Sequence, residues 1–262
     1  MDYPNDTIQV LMERRSLRAY KKEPIATEHK QIISEATRRA ATAGNMMLYS
    51  VLDIQDQVLK DRLAILCDDQ PMIAKAPMVW LFLADYQKWE DYFVSSGAVK
   101  KGEKEGIPHR ELGKGDALLS VCDALIAAQS AVTAADSLHI GSCYIGDILE
   151  NYEEVQKLLS LPDHVLPITM LCFGYPVGEW KTGISKILRH SHEDIFHVDT
   201  YQRKNGSQLE KMFEEHNNSY KKSGRLSEET PDAAHFYYFK KHTSDFMAEM
   251  NRSATEMLKN WK

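Results

Sequence analysis

Four cysteines in 262 residues, with no C-x-x-C pair among them, give this chain neither a disulfide framework nor a thiolate metal cluster. Cys67, Cys122, Cys143 and Cys172 are scattered through mostly apolar stretches and read as buried, reduced thiols of a cytoplasmic protein. Long hydrophobic runs are missing too. The longest, residues 77–84, is far too short to span a bilayer and reads as a buried strand. Residues 1–6 carry neither a basic n-region nor an apolar h-region, so no secretory signal and no membrane association are expected. Basic charge is in deficit. Lys and Arg total 32 against 38 Asp and Glu, a net charge of −6, which argues against a nucleic-acid partner. No G-x-G-x-x-G follows a strand pattern, so a Rossmann nucleotide site is excluded. No Ser/His/Asp set, helically paired carboxylates or His/Cys cluster stands out, and no metal site is expected.

What remains is ordinary globular material, 43% hydrophobic and 27% charged. It is long enough for a substantial core in one or two domains. Residues 7–12 read as a first helix and 28–41 as a second, with Thr27 as N-cap. Residues 49–54 and 78–84 have strand composition, and 57–66 between them is helical in pattern. The polar stretch 97–115, rich in Lys and Gly, reads as a mobile loop. The best helix is 116–138. Its Ala124, Ala127, Ala128, Ala131, Ala134 and Ala135 let another helix approach closely, as in a buried core helix.

Asn151-Tyr152-Glu153-Glu154 has the form of a capping box opening a helix to Leu159. Residues 168–173 are almost continuously apolar, hence a buried central strand. Beyond Tyr201 the composition turns polar, with helical periodicity at 208–220 and 232–258. The predicted organisation is a core, residues 1–201, and a helical extension, residues 202–262, packing on the core or on a partner. The fold class is α+β, a mostly antiparallel central sheet surrounded by helices.

Chemistry concentrates in Arg14-Arg15-Ser16-Leu17-Arg18. On extended backbone Arg14, Ser16 and Arg18 project to one side. Planar guanidinium forks and a hydroxyl there suit a phosphate and an electron-rich ring edge. Taken alone the segment reads as a solvated basic loop. Two further stretches change that. One is Ala135-Asp136-Ser137-Leu138-His139-Ile140-Gly141-Ser142-Cys143-Tyr144-Ile145-Gly146. The other runs from Val155-Gln156-Lys157-Leu158-Leu159-Ser160-Leu161-Pro162 to Leu171-Cys172-Phe173-Gly174-Tyr175-Pro176. In this order and spacing, over residues 7–201, the chain resembles the FMN-dependent nitroreductase family. It is most similar to the NADPH-preferring, oxygen-insensitive nitroreductase and flavin reductase branch.

The resemblance implies a nitroreductase-like fold, an intertwined homodimer and bound FMN, with hydride chemistry that belongs to the cofactor. It assigns Arg14 and Ser16 to the phosphate and Arg15 to a further cofactor contact. Arg18 falls at the pyrimidine edge, where reduction gathers negative charge, as the catalytic, electrostatic residue. Arg189, eight residues before His197, joins the phosphate grip. The family's nearby lysine aligns with Ile187, and Lys186 is the candidate substitute. Thr42, Ala43, Gly44 and Asn45 match a small-residue turn that reaches the flavin from the neighbouring subunit, with Met47 where members often carry Gln. Gln70 matches a ring-bonding glutamine, though alone it reads equally as a helix-turn residue. Gly141, Tyr144 and Ile145 are expected in the loop beneath the ring, an apolar floor with a backbone N–H aimed at N5. Cys143 reads as a small buried residue, not a nucleophile.

NADPH or NADH is the implied electron donor, and small nitro, quinone or flavin molecules the implied acceptors, in ping-pong turnover. Arg203, Lys204, Lys211, Lys221, Lys222 and Arg225 offer positive charge for the 2′-phosphate of NADPH. A different class of function is a non-catalytic FMN-binding or storage protein. A third is a reductive dehalogenase or ene reductase on the same fold.

Overall fold

The computed structural model describes residues 3–181 and 187–262. By contact the chain divides into two units, residues 1–181 with 249–262, and residues 182–248. In the first unit the order is α1 (Asp6–Glu13), α2 (Thr27–Arg38), β1 (Tyr49–Asp53), α3 (Gln57–Leu66), α4 (Pro71–Lys75), β2 (Met78–Asp85), α5 (Gln87–Ser95), α6 (Ala98–Lys104), α7 (Lys114–Ser137), β3 (Gly141–Ile145), α8 (Tyr152–Leu159) and β4 (Val165–Gly174). The strands form one sheet, β1-β2-β4-β3, antiparallel at every pairing. The second unit holds α9 (His192–Ile195), α10 (Gly206–Lys222) and α11 (Ala233–Tyr237), the last running into a π-helical turn, Tyr238–His242. The division falls within α12 (Asp245–Met257).

The two central strands, β2 and β4, are buried at every residue, because both sheet faces are covered. One face carries Trp80, Phe82, Leu171 and Phe173 against the alanines of α7. The other carries Val79, Leu81, Met170 and Cys172 against Leu63 of α3 and Val155 of α8. A central strand buried on both sides reads as a continuous apolar run, as residues 168–173 do. Helix α7 buries Ala117, Ser120, Asp123, Ala124, Ala127, Ala128, Ala131 and Ala135. Its opposite side exposes Leu118 at 64%, with Leu119, Leu125 and Ile126. By length and composition α7 could cross a membrane; its alanine face packs on the sheet.

Several expectations are corrected. Residues 97–115 contain α6, set off from α5 by Gly97 in a left-handed turn at φ 80°. Helix α2 has Ala26, not Thr27, at its N-cap, and no side chain caps it. Asn151 is left-handed at φ 50° and forms no capping box. Its amide instead donates to Leu66 O at 2.9 Å, and the Tyr152 N–H donates to Ser253 Oγ at 3.0 Å. The single helical stretch expected at 232–258 is broken into α11, the π-turn and α12. Cys122 is exposed, while the other three thiols are buried.

Candidate functional site

The arginine segment lies along the free edge of β3 as a strap. Ser16 pairs with Ser142 as an isolated parallel bridge, and the Leu17 N–H donates to Ser142 O at 2.9 Å. Further on, Tyr20 bridges to Pro176 and the Lys21 N–H donates to Tyr175 O at 2.9 Å. Two glycines permit this approach. A Cβ on Gly141 would stand 2.3 Å from Leu17 Cδ2, and one on Gly174 would stand 2.6 Å from Tyr20 Cδ1. Gly141, expected beneath the ring, is thus the notch that seats the strap. The Tyr20 hydroxyl donates to Leu17 O at 2.7 Å and closes the segment on itself.

Backbone and Leu17 do the anchoring, which leaves the polar side chains of the strap over. Arg14, Arg15 and Ser16 are half-buried and Arg18 is exposed. Arg15 Nη1 donates to Trp180 O at 2.9 Å. Arg14 Nη1 is buried without a hydrogen-bond partner. Among the described residues no acidic side chain forms an ion pair with Arg14, Arg15 or Arg18. Their field reaches β3. Burial pushes the Cys143 thiol up, opposed by Arg18, by the Ser16 hydroxyl and by Arg14. Cys143 is an inert core thiol at 2% exposure.

The loop expected beneath the ring is a strand. In β3 the side chains alternate, so Tyr144 packs on the α7 side, its hydroxyl donating to Gln129 Oε1 at 3.3 Å. Ile145 is buried at 1% exposure in the opposite core and offers only backbone to a ligand. Burial raises the Tyr144 phenol to about 12, which keeps it neutral. Gln70, at the N-cap of α4, donates from Nε2 to Cys67 O at 3.0 Å and to Asp147 Oδ2 at 2.7 Å, tying it to the turn after β3. In the same turn Glu150 is raised to about 7 by burial, and then by the charges of Asp147, Asp68 and Glu249.

Residues 42–48, between α2 and β1, form a tight turn. Gly44, Asn45 and Met47 are all left-handed, at φ 56°, 59° and 51°. Thr42 gives its hydroxyl to Asp123 of α7 and accepts the Met47 N–H at 2.8 Å, so this hydroxyl is already engaged within the chain. Gly44 and Asn45 are exposed.

In the second unit Arg189 donates to Leu188 O at 3.0 Å and lines a cavity with His190, Lys204, Lys211 and His216. Lys204 is paired with Asp194 at 2.9 Å, and the Arg225 guanidinium lies 5.1 Å from the Tyr220 ring centre. Lys186 lies outside the described residues. Among the described residues no group of three His, Cys, Asp or Glu side chains could hold a metal ion.

Asp123 is the residue that sequence reasoning missed. Its signal was its register. It falls three residues after Ser120 and four before Ala127, on the face that α7 buries.

Strap and sheet define an α+β protein with an arginine-rich segment seated along a sheet edge. Residues 11–175 match the model of the nitroreductase family, and the chain belongs to that family. The oxygen-insensitive NADPH nitroreductase of Salmonella typhimurium is 34% identical over 171 residues, 65% of each chain. The FMN reductase [NAD(P)H] of Bacillus subtilis is 32% identical over 197 residues, 75% of each. Among solved structures, the NfrA1 nitroreductase of B. subtilis superposes with a TM-score of 0.80 at 21% identity, covering 96% of this chain and 98% of that one.

Proposed function

We propose that this protein is an FMN-dependent oxidoreductase that takes hydride from NADPH or NADH and delivers it to small acceptors such as nitroaromatics, quinones or free flavins. The observation that carries the reading is the strap: three arginines with no acidic partner in an ion pair among the described residues, one with a buried Nη1 that has no hydrogen-bond partner there. A buried guanidinium N–H without an acceptor is unfavourable, and a phosphate supplies one. FMN fits this donor set, and when bound it supplies the hydride chemistry.

Within this reading Arg14 and Ser16 bind the phosphate, joined by Arg189 and, in place of the family lysine, by Lys186. Arg15 makes a further contact. Gln70, Tyr144 and the backbone of residues 141–145 line the ring. Arg18 holds positive charge at the pyrimidine edge and needs no acid–base partner. One open face, used first by donor and then by acceptor, gives ping-pong kinetics. The basic residues Arg203, Lys204, Lys211, Lys221, Lys222 and Arg225 offer the charge for the nucleotide's phosphate.

The enzyme is a homodimer in this account, with residues 202–262 packed on the core or the partner. The exposed Leu118, Leu119, Leu125 and Ile126 of α7, with Leu11 and Met12 of α1, support it. Residues 42–45 then serve the partner's flavin. The buried, unpaired Cys67, Cys143 and Cys172 suit the cytoplasm.

The purified protein should be yellow and should bleach when NADPH is added without oxygen. A yellow protein that does not bleach is the flavin-storage alternative. A colourless protein that refuses added FMN overturns both.

A further inference from the structure

Asp123 is a carboxylate in the middle of a helix, 2% exposed, with no cation in contact among the described residues. Burying such a group is costly unless donors surround it. Among the described residues all its donors come from one place, the turn of residues 42–48. Oδ1 accepts the Ala43 N–H at 2.9 Å. Oδ2 accepts the Leu48 N–H at 3.0 Å and the Thr42 hydroxyl. Because Thr42 Oγ1 also accepts the Met47 N–H, both ends of the turn and two residues inside it, Ala43 directly and Met47 through Thr42, are tied to a single carboxylate. From the other side, Trp89 Nε1 donates to Met46 O at 2.8 Å.

This cage answers a conformational problem. Asn45 tolerates the left-handed region, but Met47 at φ 51° does not adopt it freely. Such backbone persists only where its surroundings over-determine it. Two backbone N–H groups and a hydroxyl converging on one buried charge do that. What the turn leaves outward is Gly44 and Asn45, both exposed.

We propose that Asp123 is a positioning residue for the flavin: it locks the turn of residues 42–48 in the shape that serves the partner subunit's cofactor. The proposal rests on the reading of this turn as a flavin contact made across the dimer. Asp123 touches no ligand. It acts through Ala43, Met47 and Leu48, so its removal loosens cofactor binding without erasing the arginine strap.

The test uses Asp123→Asn, which keeps the size of the side chain but sets an amide N–H₂ against a backbone N–H. FMN affinity, by fluorescence titration of the apoprotein, should fall about ten- to a hundredfold, the size of a lost charge-assisted hydrogen bond. Amide exchange at Ala43, Met47 and Leu48 should accelerate in the apoprotein while the α7 amides stay protected. A hybrid dimer of one Asp123→Asn chain and one Arg14→Ala chain should regain one tight site, because the damaged turn and the damaged strap then meet in the same site. Unchanged FMN affinity overturns the proposal. So does weakened affinity with no regained site, which would place the effect within the subunit. Should Asp123→Asn fail to fold, Thr42→Val removes the hydroxyl link to Asp123 and with it the acceptor of the Met47 N–H, and must give the same pattern at lower amplitude. If the parent protein binds no FMN, the functional reading fails, and amide exchange alone still decides whether Asp123 holds the turn.

Discussion

The strap of residues 14–20 and the turn of residues 42–48 are both short irregular segments beside the same core, yet they are held by opposite means. The strap is fixed through its backbone and Leu17, on Ser142 and on the notches at Gly141 and Gly174. Its charged side chains are left over for a ligand. The turn is fixed through a side chain, Asp123, which takes up the Thr42 hydroxyl and two backbone N–H groups. Its outward backbone is what remains. One segment offers side-chain charge and the other offers backbone and small side chains. A phosphate and a flat ring call for these two kinds of contact.

The harshest way to break the comparison is to fill a notch. Gly141→Ala places a Cβ 2.3 Å from Leu17 Cδ2 and 2.6 Å from Leu17 Cβ, so the strap must lift. Overpacking typically costs about 1–3 kcal/mol and sometimes more. We expect FMN binding to be lost and the melting midpoint to drop. Gly115→Ala, with nothing within 4 Å and a helical position, serves as the control and should melt no lower than the parent. Equal behaviour of the two variants would show that Gly141 seats nothing.

Removing side chains from an intact strap comes next. Arg14→Ala, and Arg189→Ala in the second unit, should each weaken FMN binding about ten- to a hundredfold, the loss of a charge-assisted hydrogen bond worth roughly 1.5–3 kcal/mol. The potential of the bound flavin should barely move. Titrations matching the parent would remove the residue from the site.

A smaller effect belongs to neither segment. Glu150 titrates near 7 in the folded chain, against an ordinary value near 4.5. Below 4.5 the group is neutral in both states. As pH rises from there towards 7 the unfolded chain ionises first, so the folded state loses stability. Glu150→Gln should therefore gain stability over the parent progressively between pH 5 and 7, by about 1–2 kcal/mol once solvent screening is allowed for. Denaturant midpoints at pH 5, 6 and 7 check it. A constant difference across that range would contradict the raised value.

The two segments also differ in how much the sequence disclosed. Arg14, Ser16 and Arg18 share a side on extended backbone, with Leu17 on the other. The buried strands β2 and β4 and the helix α3 were legible from composition and period. Strand β3 was not, because Gly141, Ser142 and Cys143 look like turn residues until the strap that needs Gly141 is seen. Helix α6 hid among Gly97, Gly102 and Gly106, which lower helix propensity, so the packing of α5 decides. Asp123 hid in a run of alanines, and only its register betrayed it. Tertiary partners are what single-sequence patterns lack, and both β3 and Asp123 owe their roles to such partners.

The charge on the strap is the centre of the account, and Arg18 is where it is most exposed to measurement. Arg18→Gln keeps hydrogen-bond donors and removes the charge. If that charge favours the reduced over the oxidised cofactor, it contributes differentially, the only way binding accelerates a reaction. A dye-linked midpoint potential, taken with anaerobic stopped-flow reduction by NADPH, decides the matter. We expect a lower potential and slower reduction with FMN still bound. A parental potential and rate, with FMN simply falling out, would contradict the account and make Arg18 one more phosphate ligand.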